Sequence, residues 1–309
     1  MAASSMSGSM RLPGPDVDAA CNAPLLVIVG QTATGKSALA MQLAERFGGE
    51  IISADSRTVY RGMDIGTAKP TTVDRAEVPH HLLDILEPDE SFTAADFKQR
   101  AAAAIEDISA HGRLPILVGG TGLYADAVLY DYTFRSPADK RLRQELEHLS
   151  VPELQQRLLE QGIPLPNNPQ NPRHLVRALE TGGQQPKQAD MRANTLVLGL
   201  HLEREELLDR IAGRVDAMLQ AGLEQEAKDL SERYGFAVPP MQTIGYQEWA
   251  GYFKGVQSLE ETRHLIIKNT LAYAKRQKTW FKRNKSVHWL SDRDKLQQSV
   301  DLITTLLYK

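Results

Sequence analysis

"LLVIVGQTATGKSALAMQL", residues 25–43, joins five apolar residues to a glycine-bounded loop and then to a helical pattern. The apolar run from Leu25 to Val29 predicts a strand that is buried on both faces. Leu39 and Leu43 then begin an apolar stripe with a spacing of four residues, which predicts a helix. A loop between such a strand and such a helix is a common binding place for phosphate groups.

The loop at residues 30–37, GQTATGKS, matches the pattern G-x-x-x-x-G-K-[ST]. Its two glycines permit backbone angles that let successive N–H groups converge on an anion. Lys36 supplies a mobile cation, and Ser37 supplies a hydroxyl for Mg²⁺. The predicted diphosphate-binding residues of the loop are therefore Gly30, Thr32, Ala33, Thr34, Gly35, Lys36 and Ser37.

Strand and helix patterns alternate along the rest of the first half of the chain. "EIISADS" (50–56) predicts a second strand that ends at Asp55, and "LPILVGGTG" (114–122) predicts a third. Between them, residues 91–112 predict a helix with a Ser or Thr cap, and "NTLVLGL" (194–200) resumes the β pattern. This alternation predicts an α/β fold, a P-loop NTPase-like parallel sheet with helices on both faces.

The segmentation predicts three regions. Residues 1–23 are small and polar and are interpreted as a disordered tail. Residues 24–132 and 194–309 form the α/β core with C-terminal helices, which dominate from Glu203 onward. Residues 133–193, rich in Glu, Gln, Leu, Arg and Pro, form an all-helical insertion domain.

Composition excludes several classes of protein. The net charge of −3 gives no global attraction to nucleic acid, and the single cysteine rules out internal disulfides and thiolate metal clusters. No apolar run reaches the length of a membrane helix, and no signal peptide is visible. We therefore expect a cytoplasmic protein without a membrane partner.

The loop alone leaves the ligand open, because it fits any diphosphate-bearing molecule. An ATP-dependent kinase or NTPase is the obvious interpretation, yet the strand "PILVGG" (115–120) lacks the second Mg²⁺-binding acid that such enzymes usually have. Asp55 and Thr121 stand at the carboxyl ends of the second and third predicted strands, at the edge where parallel sheets bind ligands. Both residue types also cap turns, which is the structural alternative.

Further motifs closely resemble the tRNA dimethylallyltransferases, also called tRNA isopentenyltransferases, of the bacterial type. They cover most of the chain from residue 24 to about 285, and comprise "SADSRTVYRGMDIGTAKP" (53–70), "VPHHLLDILEPDESFTAADF" (78–97), "LVGGTGLY" (117–124), "NPRHLVRALE" (171–180), "AMLQAGLEQEA" (217–227), "TIGYQEW" (243–249) and "AKRQKTWF" (274–281). The resemblance implies transfer of a dimethylallyl group from dimethylallyl diphosphate to N6 of the adenosine on the 3′ side of the anticodon (tRNA position 37), in tRNAs reading U-initial codons.

The resemblance also implies roles for individual residues. Asp55 is the expected general base, and Mg²⁺ is the expected cofactor. Thr121 is the second expected catalytic residue; its hydroxyl would hydrogen-bond in the same region and hold the adenine in place. Arg276 resembles an arginine that approaches the diphosphate; a solvent-exposed or RNA-backbone role is equally compatible. The segment Asp55, Ser56, Arg57 and Thr58 resembles the part that meets the flipped base. The family commonly has Gln where this chain has Thr58, which is shorter and has no amide group.

The expected partners are dimethylallyl diphosphate and the anticodon stem-loop of tRNA, bound by a monomer. Residues 263–285 contain eight Lys or Arg and no acid, and Lys268, Lys275 and Lys282 recur every seven residues on one helical face. Such a one-sign stripe suggests contact with a phosphate backbone. In the insertion, the resemblance adds Arg143, Arg173 and Arg177 as tRNA contacts.

Three alternatives remain open from the sequence. A P-loop kinase of small molecules or nucleotides leaves the insertion and the basic stripe without a purpose. A prenyltransferase of free adenine nucleotides generally lacks the helical insertion. A non-catalytic RNA-binding protein would not be expected to retain Lys36, Ser37 and Asp55 together.

Overall fold

The computed structural model describes residues 23–134, 140–184, 187–291 and 293–307. The predicted disordered tail, residues 1–23, lies outside these residues except for Ala23. Contacts divide the chain into two compact units, one of residues 130–191 and one of the remaining residues. Each unit is described separately below.

The larger unit contains a six-stranded sheet in which every pair of neighbouring strands is parallel. Its strands are β1 (Leu25–Gly30), β2 (Gly49–Ser53), β3 (His80–His81), β4 (Leu114–Gly119), β5 (Thr195–Leu200) and β6 (Val287–Trp289). The order across the sheet is β3-β2-β4-β1-β5-β6, with Leu26 opposite Ile116 on one side of β1 and opposite Leu196 on the other. The predicted α/β class is confirmed.

The helices of this unit are α1 (Lys36–Phe47), α2 (Thr72–Glu77), α3 (Ala94–Ala110), α4 (Gly122–Leu129), α8 (Arg204–Gln220), α9 (Leu223–Tyr234), α10 (Trp249–Phe253), α11 (Leu259–Phe281) and α12 (Lys295–Leu306). Leu39 of α1 and Ile303 of α12 pack in one buried cluster with alternate sheet residues such as Ile28 and Ile116. Helix α11 contacts β1 and packs in a second cluster with α8 and α9. None of the helices in the described ranges combines the length and apolarity that crossing a bilayer requires.

The smaller unit contains three described helices, α5 (Lys140–Glu147), α6 (Val151–Glu160) and α7 (Pro172–Thr181). Each carries an apolar stripe, and Leu146, Leu154, Leu158 and Leu175 form their common core. Pro172 opens α7 at a position where its missing N–H costs no helical hydrogen bond. The unit therefore has a small apolar core of its own.

The predicted sheet differs from the structure in the end of the second strand and in the short strands β3 and β6, which were not predicted. The second strand ends at Ser53 rather than Asp55, because the chain turns there and the Asp55 carboxylate accepts a hydrogen bond from the Arg57 N–H (2.8 Å). Strand β6 lies among the helices of the C-terminal part and extends the sheet beyond β5. Three residues are too few to show the alternation that identifies a strand in sequence.

Candidate active site at the carboxyl edge of the sheet

The loop at residues 30–37 connects the carboxyl end of β1 to the first turn of α1. Gly30 has a φ of 140°, and a Cβ there would lie 2.0 Å from the carbonyl oxygen of Leu200, so β5 leaves no room for a side chain. Gly35 caps α1 with a φ of 85°, and Ala33 also has a positive φ of 62°. The first backbone N–H groups of α1 have no partner within the helix, so they can bind an anion.

Lys36 turns back over this loop, and its Nζ donates to the carbonyl oxygen of Gln31 (2.5 Å). The pKa of Lys36 is lowered to about 7, mainly by burial and also by the nearby Arg214, while Asp55 acts in the opposite direction. An anion placed here would therefore meet a cation that has already lost much of its hydration. The Thr34 hydroxyl faces inward and donates to the carbonyl oxygen of Gln31 (2.8 Å). Thr34 can therefore contact a ligand only through its backbone.

Arg214 of α8 is a residue of this site that the sequence did not reveal. Its Nη1 donates to the Thr32 hydroxyl and its Nη2 to the Thr67 carbonyl, each at 3.4 Å. Burial lowers the pKa of Arg214, while Asp55 raises it. The only signal in the sequence was its position beside the buried residues Ile211 and Val215, where an arginine is unexpected on a packed helix.

Asp55 follows β2 and Thr121 follows β4, and two hydrogen bonds connect the segments that carry them. The hydroxyl of Thr121 accepts a hydrogen bond from the Ser56 N–H (3.2 Å), and the Thr121 N–H donates to the Ala54 carbonyl (3.3 Å). Arg57 is fixed by the carboxylate of Asp55, as described above. The turn after β4 therefore holds the segment after β2 in place.

Thr58 is buried, although it is among the residues that line the smaller of the two cavities described below. Its hydroxyl is buried and shares a hydrogen bond with the Ser53 hydroxyl (2.9 Å). Contact of the Thr58 side chain with tRNA remains a prediction, and it would require that hydrogen bond to be exchanged. Ser56 and Arg57 are only partly buried and line a cavity.

Two adjoining cavities connect the loop with Asp55. The smaller, of about 120 Å³, is lined by Lys36, Ser37, Asp55 and Arg214, among other residues. The larger, of about 370 Å³, shares Thr32, Asp55 and Arg214 with it. The larger cavity has an apolar wall formed by Ile211, Val215, Met218, Ile244 and Ile266. Lys36 and Asp55 therefore face the same space.

Tyr273 and Arg276 of α11 complete this region. Tyr273 lines both cavities; burial, followed by the charge of Asp55, raises its pKa to about 12. Arg276 is exposed, lines only the larger cavity and lies with its Cζ 5.6 Å from the centre of the Tyr273 ring. A contact of Arg276 with diphosphate remains a prediction.

The residues near the loop offer few ligands for a magnesium ion. The part of the chain that the structure describes contains no group of three or more His, Cys, Asp or Glu that could hold a metal. Ser37 and Asp55 do line the same cavity, which provides one hydroxyl and one carboxylate. Mg²⁺ is commonly bound by one or two such groups together with substrate phosphates and water, so these residues fit an ion that arrives with a diphosphate.

The basic stripe lies on α11 and just beyond it. Lys268 and Lys275 are exposed on the helix, while Lys282 is its exposed C-cap residue. Not all the cations of residues 263–285 are available, because Arg263 binds the Asp216 carboxylate through two hydrogen bonds (2.6 and 2.9 Å). The three lysines have no ion pair within the described ranges.

In the smaller unit, Arg143 and Arg177 share a carboxylate. Glu180 has a buried side chain, and its oxygens lie 3.4 Å from Arg143 Nη1 and 3.1 Å from Arg177 Nη1. Arg143 also pairs with Glu147 (2.8 Å). Arg173 is exposed near the start of α7. Contacts of these three arginines with tRNA remain predictions.

The fold and loop define a class, that of parallel α/β proteins with a phosphate-binding loop after the first strand. Comparison with known proteins then gives the family. Residues 58–284 match the family model described as IPP transferase. A tRNA dimethylallyltransferase from Pelotomaculum thermopropionicum is 44% identical over 284 residues, which cover 86% of this chain and 90% of the relative. The chain belongs to the tRNA dimethylallyltransferase family.

Solved structures agree with this assignment. The tRNA isopentenylpyrophosphate transferase from Bacillus halodurans is 40% identical, with a TM-score of 0.72 over 92% of this chain and 97% of that one. A eukaryotic dimethylallyltransferase, solved in the course of acting on tRNA, is 27% identical, with a TM-score of 0.76 over 92% of this chain and 79% of its own.

Proposed function

We propose that the protein transfers the dimethylallyl group from dimethylallyl diphosphate to N6 of the adenosine on the 3′ side of the anticodon (position 37) of tRNAs that read U-initial codons. Membership of the family supports this reaction. The observation that carries it in the structure is that Lys36, Arg214 and Asp55 line one cavity. A binding place for the leaving group therefore adjoins a base for the acceptor.

The loop and the two cations stabilise the departing diphosphate. As the allylic C–O bond breaks, its electron pair leaves with the diphosphate, and negative charge grows on the bridging oxygen. Backbone N–H groups at the start of α1, Lys36 and Arg214 are fixed in advance around that position, which is how donors stabilise a developing anion. Arg276 adds a cation at the larger cavity.

Asp55 accepts the proton of the acceptor amine. The N6 nitrogen of adenine is a weak nucleophile because its lone pair is delocalised into the ring. As N6 forms its bond to the allylic carbon it gains positive charge, and the carboxylate takes one N6 proton. Thr121 orients the segment that carries Asp55 through its hydrogen bond from Ser56, and an unpaired loop base reaches such a site at a low unstacking cost.

Mg²⁺ completes the diphosphate-binding half in this proposal. Ser37 would hold it together with diphosphate oxygens and water. When bound, the ion supplies neutralisation of the leaving group's charge. The residues of the chain itself bind the donor and accept the proton.

The tRNA contacts are proposed from exposed charge. Lys268, Lys275 and Lys282 place three cations on one side of α11, where they would neutralise backbone phosphates and release the counterions condensed on the RNA. Ser56 and Arg57 lie beside Asp55 and line the larger cavity, so they would meet the base and its neighbours. Thr58 would do so only by exchanging its hydrogen bond with Ser53. In the smaller unit, Arg143, Arg173 and Arg177 are the proposed contacts. We also propose that the enzyme acts as a cytoplasmic monomer.

A phosphotransferase is the less favoured alternative. Strand β4 ends in Val118 and Gly119, so it lacks the acidic residue that such enzymes usually use there as their second magnesium ligand. The family match also covers the region of the basic stripe, which a small-molecule kinase would not need.

One assay separates the candidate reactions. The protein is incubated with Mg²⁺, labelled dimethylallyl diphosphate and either unmodified tRNA or AMP. We expect label in tRNA alone, at the adenosine beside the anticodon. Label in AMP would indicate a free-nucleotide prenyltransferase, and ADP formed from ATP with neither product would indicate a kinase.

A further inference from the structure

Gln277 of α11 bridges two loops that the proposed reaction uses separately. Its side chain is 4% exposed. The backbone N–H of Thr32 donates to Gln277 Oε1 (2.8 Å), and Gln277 Nε2 donates to the carbonyl oxygen of Gly120 (3.0 Å). One side chain thus joins the phosphate-binding loop after β1 to the turn after β4.

The bridge requires an amide of this length. It must accept from an N–H at one end and donate to a carbonyl at the other, which a carboxylate or a methyl-ended side chain cannot do. The two partners also fix which end of the amide is oxygen. Gly120 is matched to it, since a Cβ at that position would lie 2.1 Å from Gln277 Nε2.

Each end of the bridge leads directly to a proposed ligand contact. On one side, the hydroxyl of Thr32 accepts from Arg214, which faces the diphosphate cavity. On the other, Gly120 precedes Thr121, whose hydroxyl holds Ser56 beside Asp55. A displacement of the phosphate-binding loop would therefore be transmitted through Gln277 to the segment that receives the acceptor base.

We infer that Gln277 is a positioning residue that couples diphosphate binding to RNA binding. The inference rests on the proposed function. It states that the Gln277 bridge makes the affinity for RNA depend on whether diphosphate is bound. Such a coupling is reciprocal, so each ligand changes the affinity of the other by the same factor.

The test measures that factor at equilibrium. The dissociation constant of an anticodon stem-loop RNA is determined with and without saturating Mg²⁺ and inorganic pyrophosphate, a pair that allows no turnover. We expect a change of about fivefold or more for the wild-type protein, the lower end of typical couplings. For Gln277→Met and Gln277→Glu we expect a ratio near one, while each ligand alone still binds.

Two further variants guard the interpretation. Gly120→Ala disrupts the same bridge at its other end, because the added methyl group would collide with the Gln277 amide. It should also lose the coupling, and it replaces a Gln277 variant that does not fold. Gln220→Met makes the same chemical change at an exposed glutamine of α8 and should retain the wild-type ratio. Thermal unfolding of all variants reports on the fold.

The outcomes distinguish this inference from the proposed function. Retained coupling in folded Gln277 variants overturns the inference and leaves the reaction standing. The same holds if the wild-type protein prenylates tRNA but shows no coupling. A wild-type protein that transfers no prenyl group to tRNA overturns both.

Discussion

Lys36 and Arg214 of the smaller cavity and the three lysines of α11 are basic side chains in opposite surroundings. Lys36 and Arg214 have lost hydration, and burial lowers the pKa of each. Lys268, Lys275 and Lys282 stand in solvent. Desolvated charges interact strongly with a ligand and are little affected by salt, whereas exposed charges are screened. The buried pair is therefore suited to chemistry, and the exposed set to steering and holding a polyanion.

Asp55 gives the largest expected effect, because it is the anion beside the buried pair. Asp55→Ala should lower the single-turnover rate by about 10²–10⁴-fold, the usual contribution of a positioned general base. tRNA affinity should stay close to that of the wild type, as measured by filter binding. Asp229→Ala, at an exposed position of α9, is the control. Normal single-turnover chemistry with lost tRNA binding would show that Asp55 has been given the wrong role.

Arg214→Met removes one of the buried cations. We expect kcat/KM for dimethylallyl diphosphate to fall by about 10²–10³-fold, as when one preorganised donor to a developing anion is lost. Arg210→Met, one turn earlier on α8 and paired with Glu206 (2.6 Å), should change little. If the two variants lose activity equally, the distinction between buried and exposed cations fails.

The exposed lysines should behave in the opposite way. Changing Lys268, Lys275 or Lys282 to Ala should weaken tRNA binding several-fold, without much sequence preference, and leave the single-turnover rate at saturating tRNA unchanged. Each substitution should also reduce the slope of log affinity against log salt by about 0.7–0.9. Lys228→Ala on α9 supplies an exposed control. An unchanged slope would remove these residues from the tRNA surface.

Burial of Lys36 has a smaller, pH-dependent effect on stability. Its folded pKa of about 7 lies below the ordinary value of 10.5, so the unfolded chain binds more protons between these pH values. Stability from this group therefore rises as pH increases from 7 towards 10.5. Lys36→Met should unfold at a higher temperature than the wild type, with the larger gain at pH 6 and the smaller at pH 9. Calorimetry that finds the reverse order would contradict the burial of this ammonium group.

The sequence could predict the parts of the site that lie close together in the chain. Local patterns identified β1, α1 and the loop between them, because strand, loop and helix adjoin in the chain. Asp55 and Thr121 were also predictable, since strand ends in a parallel sheet share one edge. Arg214 and Gln277 were not, because each reaches the loop from a distant helix. Strand β6 was missed because its three residues carry too little pattern.

A crystal structure with a non-reactive thio-analogue of dimethylallyl diphosphate and an anticodon stem-loop would test most directly that donor and acceptor meet in one cavity. We predict the diphosphate on the backbone N–H groups that open α1, beside Lys36 and Arg214. We predict the adenine N6 within hydrogen-bond reach of Asp55, roughly 2.6–3.2 Å. An adenine bound elsewhere, with Asp55 facing only protein or solvent, would contradict the account.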